Sequence, residues 1–165
     1  MSKDSLHAFL AYFEDAFLIR TTSIFTASER QRMVNPRKAY PIDPGLISVY
    51  EPAGRDNLGH ALETAVLIEL LRRGFEVRYF RTSAGNEVDF HAVDAMGKIW
   101  LIQSCADASE PETFEREVRS LVEAKSQYPE AAAVLLLLAP LPKGFEMPGE
   151  ICCKDTIEWF LEKAD

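Results

Sequence analysis

The stretch Ala131–Pro140 is apolar at every position and ends on a proline. Ten residues are too few to cross a bilayer, which takes about 20 in a helix. A run without alternation reads instead as a strand covered on both faces, and such strands belong to sheets with a parallel part and helices packed on either side. Ala132–Leu138 is therefore a buried strand, and the chain folds around it as an α/β domain.

The segments before that run fit the same picture. Asp56–Arg73 has helical spacing and is stopped by Gly74 in the C′ position. Glu76–Arg81, Glu87–Val93 and Lys98–Ser104 read as strands, separated by turns at Ser83–Asn86 and Asp94–Gly97. Pro111–Ser126 is a helix with Phe114, Val118, Leu121 and Val122 on one face. After Pro140–Pro148, a short strand at Glu150–Cys153 precedes a closing helix at Thr156–Lys163. The order is α-β-β-β-α-β, then β-α, which gives a mixed sheet with helices on its faces. Upstream, Ser5–Leu18 reads as a helix, Leu18–Phe25 as β-like and Lys38–Ile42 as a return strand around the polar, basic stretch Thr26–Arg37. This resembles the second half of a winged-helix module, and Pro41, Pro44, Gly45, Pro52 and Gly54 connect it to the core through turns. Two units result, an annex over 1–55 and a core over 56–165.

Charge is distributed unevenly. The chain is acidic, with a formal net charge of −8, but residues 1–55 carry seven Lys/Arg against six Asp/Glu while 56–165 carry eleven against twenty. Within Arg20–Lys38 stand Arg20, Arg30, Arg32, Arg37 and Lys38 against Glu29 alone. Screening hides distant charge beyond about 8–10 Å, so Arg30, Arg32, Arg37 and Lys38 form a candidate phosphate-binding patch even on an acidic protein. The other reading of this stretch is a solvated loop. Cys105, Cys152 and Cys153 are odd in number and make neither a disulfide framework nor a zinc set, so a reducing cytoplasm is expected. No basic segment followed by an apolar one opens the chain, so secretion and membrane insertion are not expected.

Four positions could carry chemistry. Glu63 lies in line with Val66, Leu67 and Leu70 on the apolar side of its helix, where a carboxylate must be paired or bound to a cation. An internal partner such as Arg81 or His60 is one reading and a metal or catalytic role the other. Asp89 sits inside a strand, where acids are disfavoured; alternation puts it with Glu87 and His91 on one face, and Val88, Phe90 and Ala92 on the other. Glu87 and His91 are expected at an exposed edge. Gln103 and Cys105 share a face with Ile99 and Leu101 where the third strand leaves the core, and Cys105 reads as a buried, inert thiol. Phosphodiester cleavage uses Mg or Mn held by hard oxygen ligands, together with a lysine to stabilise charge. Two acids and a lysine across a hairpin make the PD-(D/E)xK arrangement.

The runs Gly59-His60-Ala61-Leu62-Glu63-Thr64, Tyr79-Phe80-Arg81-Thr82, Gly85-Asn86-Glu87-Val88-Asp89-Phe90 and Leu101-Ile102-Gln103-Ser104-Cys105, in that order and spacing, resemble the C-terminal domain of unknown function of many archaeal and bacterial AAA-type ATPases. Tyr12–Ile19 and Asn35–Lys38, with Ile42–Leu46, are similar to the segment preceding that domain. The resemblance implies a restriction-endonuclease-like, PD-(D/E)xK core joined through a winged-helix-like region to an ATPase. Glu63 then matches the helix glutamate and Asp89 the hairpin aspartate; Gln103 falls at the second acid and Cys105 at the lysine. A Gln carbonyl can still serve a metal, but Cys105 cannot replace a permanent positive charge. Losing a stabiliser of that kind typically costs on the order of 10²–10³ in rate. The expectation is therefore an accessory, catalytically degenerate nuclease-fold domain that binds DNA or a partner protein. The alternatives are an active Mg- or Mn-dependent nuclease using Glu63, Asp89 and Gln103, and a purely structural or oligomerisation domain. No G-x-x-x-x-G-K-[ST] loop occurs, so ATP binding is not assigned to this chain, which reads as an excised domain or a truncated relative.

Overall fold

The computed structural model describes residues 3–50, 57–109, 111–141 and 144–162. Five strands form one sheet in the order β3-β4-β5-β6-β7: β3 (Glu76–Arg81), β4 (Glu87–Val93), β5 (Ile99–Cys105), β6 (Ala132–Leu137) and β7 (Ile151–Asp155). β3, β4 and β5 are antiparallel neighbours joined by tight turns, while β5, β6 and β7 run parallel. The parallel half is where the apolar run lies. Ala133 to Leu137 are all buried, as a strand with helices on both faces requires.

Those helices divide the core into two layers. Helix α5 (Pro111–Gln127) lays Phe114, Val118, Leu121 and Ala124 on one face, against Leu101, Leu135 and Leu137. Helix α4 (Leu58–Arg72) lays Leu62, Val66, Leu67 and Leu70 on the other, with Trp159 of α6 (Thr156–Leu161), against Ile102, Val134 and Leu136. The end of α4 is set by Gly74, whose φ of +81° lets Gly74 N–H reach Leu71 O and Phe75 N–H reach Leu70 O in a Schellman turn. Arg73, the C-cap, donates to Trp159 O at 2.6 Å and stacks its guanidinium 4.3 Å from the Trp159 ring, which fastens the closing helix. Glu69 is held by both Arg72 and Arg73 rather than standing free.

Strict alternation along the second core strand does not hold. Arg78 pairs with His91 but Phe80 pairs with Val88, so β4 carries one extra residue at Asp89–Phe90, a β-bulge. The extra residue flips the faces beyond it. Val88 joins the α5 layer, while Phe90 and Ala92 join the α4 layer. The same shift turns His91 inward, correcting its expected place at an exposed edge: it is 2% exposed and stacked on Phe25 at 3.6 Å. Burial holds its imidazole below the usual range. Glu87 is half-buried and ion-paired.

The N-terminal part comprises α1 (Lys3–Asp15), β1 (Ile19–Thr22), α2 (Glu29–Val34), β2 (Lys38–Pro41) and α3 (Gly45–Tyr50). β1 and β2 pair antiparallel, in agreement with the strand reading of their sequences. Helix α1 stops before Leu18, since Phe17 takes a left-handed φ of 56°. The basic stretch holds a short helix rather than a loop, capped by the Ser28 side chain on Gln31 N–H. Helix α3 likewise occupies part of the segment expected to consist of turns. Of the residues placed by sequence, Pro52, Gly54, Asp56 and Lys163 lie outside the described residues. Tyr40 of β2 is fully buried in the α4 layer, and Tyr79 of β3 exchanges backbone hydrogen bonds with Ser23 and Phe25, so the N-terminal strands are stitched to the core. No helix among the described residues is long and apolar enough to cross a membrane.

Leu135 has no exposed surface and lies in the middle of β6. Leu135→Ala should lower stability by about 2–5 kcal/mol, the range for a leucine truncated in a packed core, as read from urea unfolding.

Candidate functional site

A cavity of about 400 Å³ opens where the bulge of β4 and the end of β5 meet α4 and α5. Glu63 and Gly59 reach it from α4, Asp89 and Glu87 from β4, Gln103 and Ser104 from β5, and Glu117 with Arg116 from α5. Lys38 enters from β2. The structure thus brings Glu63, Asp89 and Gln103 to one cavity.

Glu63 is paired, and its partners differ from the Arg81 or His60 suggested by sequence. Glu63 Oε1 accepts from Lys38 Nζ at 2.9 Å and from the Tyr40 hydroxyl at 2.6 Å. Lys38 and Tyr40 stand two apart on one strand, so their side chains leave the same face and arrive together. Lys38 also contacts Glu87 Oε1 at 2.6 Å, and Glu87 Oε2 accepts from Arg81 at 3.1 Å. Burial works to lower the Lys38 pKa, but Glu63 and Glu87 override it and hold the ammonium firmly charged. Burial, and then the Glu63 carboxylate, push the Tyr40 hydroxyl well above its ordinary range. Burial likewise opposes ionisation of Glu87, but Lys38 and Arg81 bring it below the usual carboxylate range.

Asp89 occupies the bulge. Its Oδ2 accepts from Ser104 N–H at 2.9 Å and from the Ser104 hydroxyl at 2.7 Å. Burial first, then Glu63, push its carboxyl up to about 7, against the pull of Lys38 and the Ser104 hydrogen bonds. The Asp89 N–H, released from the ladder by the bulge, donates to Gln103 Oε1 at 3.0 Å. Gln103 Nε2 in turn donates to Glu117 Oε2 at 2.5 Å, and Glu117 Oε1 accepts from Arg116. Both ends of the Gln103 amide are therefore engaged, one on the backbone of the bulge and the other on the Glu117 carboxylate.

Cys105 is 3% exposed and donates to Asp107 O at 3.4 Å. Burial and the nearby Glu117 push its thiol up to about 11, which disfavours the thiolate a reactive cysteine needs. A lysine does reach the cavity, but from β2. Lys38 thereby leaves the basic patch. Arg30 and Arg37 remain exposed and Arg32 half-buried, and none forms an ion pair with a described residue.

Glu63 Oε1, Asp89 Oδ2 and Gln103 Oε1 each accept from a donor of the chain itself, and the cation that Glu63 and Glu87 share is the Lys38 ammonium. Among the described residues no group of three His, Cys, Asp or Glu side chains is placed to hold a metal ion.

Residues 58–141, just over half of the chain, match the family described as Domain of unknown function (DUF4143). The protein is also 32% identical over 123 residues to the uncharacterized protein MJ1544 of Methanocaldococcus jannaschii, a match covering 73% of this chain and 26% of that protein. The chain thus spans about a quarter of that relative's length. No solved structure matches.

Lys38→Met leaves Glu63 and Glu87 without their ammonium, and should destabilise the fold by about 1.5–3 kcal/mol, the range for hydrogen bonds to charged groups. Adding Glu63→Gln should recover part of that loss, a coupling read from a double-mutant cycle in urea. Asp89 yields a pH dependence. Its folded pKa lies above that of the unfolded chain, so its contribution is fully present below pH about 4 and is lost as pH rises toward 7. Asp89→Asn, which keeps an acceptor for Ser104, should therefore gain stability relative to the parent protein across that window; a pH-independent difference would contradict the assignment.

Proposed function

The chain belongs to the DUF4143 family of domains of unknown function, and from that premise we propose that it is an accessory module of an AAA-type ATPase, with a restriction-endonuclease-like core and a degenerate nuclease site, that contacts DNA through Arg30, Arg32 and Arg37. One observation carries the reading: Lys38 sits 2.9 Å from Glu63 and 2.6 Å from Glu87. Glu63, one of the two acids that would gather a metal, is neutralised by a side chain from the same polypeptide, and the other, Asp89, is taken up by Ser104. Element order supports the nuclease-like core, since α4, β3, β4, β5, α5 and β6 follow one another as such a core requires, with the acids at the helix and the hairpin. An ion-paired cavity of this kind holds the N-terminal strands against the core. It takes no part in hydrolysis, and no catalytic step is assigned to it.

DNA contact is supported by the distribution of charge. The cavity carries four carboxylates, whereas α2 presents arginines without an acidic partner among the described residues. Phosphate contacts of this sort release counterions, so affinity should fall steeply with salt.

Fluorescence anisotropy with labelled duplex and branched DNA should show salt-dependent binding. Arg30→Gln with Arg32→Gln should weaken it and lower the slope of log K against log salt by about one for each phosphate no longer neutralised. In the same samples Mg or Mn should give no cleavage that depends on Asp89. Metal-dependent cleavage abolished by Asp89→Ala would overturn the degenerate site. Undetectable or salt-insensitive binding would overturn the DNA contact and leave a partner protein as the target.

A further inference from the structure

A second cavity, of about 510 Å³, lies on the far side of the Arg81–Glu87 ion pair, between α2 and the β3 edge of the sheet. It falls within the range of small-ligand sites, about 300–1,000 Å³. Its chemistry is the reverse of the first cavity's, for none of its lining residues is an acid. Three rings line it: Phe25, Phe80 and Tyr128. Phe25 lines the cavity while stacked on His91 at 3.6 Å, with Phe80 and Tyr128 set nearly perpendicular to it at 6.2 and 5.9 Å.

Polar groups stand around these rings with capacity to spare. Gln31 and Asn35 lie one helical turn apart on α2 and both line the cavity. The Gln31 side chain uses only Oε1, accepting from the Thr26 hydroxyl at 2.6 Å; Asn35 uses only Nδ2, donating to Gln31 O. Arg81 reaches Glu87 through Nε alone, and the Tyr128 hydroxyl makes no hydrogen bond to a described residue. Arg81 lines the cavity itself, and Arg30 and Arg32 adjoin Gln31 in the chain, about 100° around α2 to either side of it.

We propose that this cavity binds an unpaired nucleobase of a single-stranded nucleic acid, the base stacking on Phe25 beside Tyr128 while Arg81, Arg30 and Arg32 take the flanking phosphates. Aromatic platforms beside cationic side chains are what single strands select, because every base has a π-face whereas duplex bases are already stacked. Amides that can both donate and accept, at Gln31 and Asn35, suit a base edge without fixing its identity. The proposal rests on the nucleic-acid contact of α2 proposed above, and two probes separate them.

The first probe is dAMP alone, followed on the full chain by backbone amide resonances. It should shift Phe25, Gln31 and Asn35; shifts absent there would overturn the cavity assignment. The second is anisotropy with a 15-nucleotide single strand and a duplex of the same sequence. The single strand should bind tighter, and Tyr128→Ala should weaken it roughly 5- to 100-fold, the span for loss of one stacked base, with duplex binding unchanged. Gln31→Glu, which keeps the acceptor for Thr26 but adds a charge, should act in the same direction and guards against a folding defect in the tyrosine variant. Equal affinity for both forms, unaltered by either substitution, would overturn the cavity and leave the arginine contact standing. Shifts by dAMP without any strand binding would support the cavity and overturn the arginine contact.

Discussion

The molecule depends on how it accommodates carboxylates in its interior. Glu63 projects from the apolar side of α4, and Glu87 and Asp89 come from an adjacent strand. Like charges at that depth repel and lose hydration, which would expel them unless a cation were supplied. The supply comes from Lys38, some 25 positions upstream of Glu63 in the chain. A residue of the N-terminal segment thus completes the electrostatics of the core. The antiparallel pair β1–β2 is the device that aims it, since Lys38 and Tyr40 share a face and both end on Glu63 Oε1. The N-terminal strands and the five-stranded sheet are therefore joined through one ion-paired cluster.

The polar chain continues on the other side of the sheet. Asp89 takes both donors of Ser104; its own N–H goes to Gln103, and Gln103 goes on to Glu117, which Arg116 neutralises. Each link satisfies a group that the preceding one exposes. Such networks stabilise only when complete, because a half-satisfied buried polar group is worse than none. The glutamine at the position matched to a second acid has a clear job here: it closes the backbone gap that the bulge opens.

Much of this is legible in the sequence, and the legible part follows from periodicity. The strands and helices of the core come out nearly where helical and strand spacing put them, because burial against both faces of β6 leaves little freedom. Glu63 is identifiable because a lone acid on an apolar helical stripe demands a partner. The same argument applies to Glu117, which stands in line with Phe114, Val118 and Leu121 but is hidden by the many charges around it. Lys38 cannot be placed correctly from sequence. There it is the last of a basic run, and only the pairing of β1 with β2 turns it inward. Helix α2 escapes for a different reason: six residues with one capping serine carry too little pattern to distinguish a turn of helix from a polar loop. His91 is misplaced by any count of alternation, because a bulge breaks the alternation from which faces are counted, and nothing in the residues Val88-Asp89-Phe90 announces one.

That bulge has a further consequence, for how the sequence can drift. β4 is read in two frames, one before Asp89 that feeds the α5 layer and one from Phe90 onward that feeds the α4 layer. Substitutions within either frame are local matters. Loss of one residue between Val88 and His91 would instead merge the frames, sending either Val88 or the pair Phe90 and Ala92 to the wrong layer. The hairpin turns beside it can lengthen or shorten without such damage. Among descendants of this chain, length variation should accumulate at 83–86 and 94–97 and be purged from the three positions between Val88 and Ala92, so that spacing there outlasts the identity of the residues themselves.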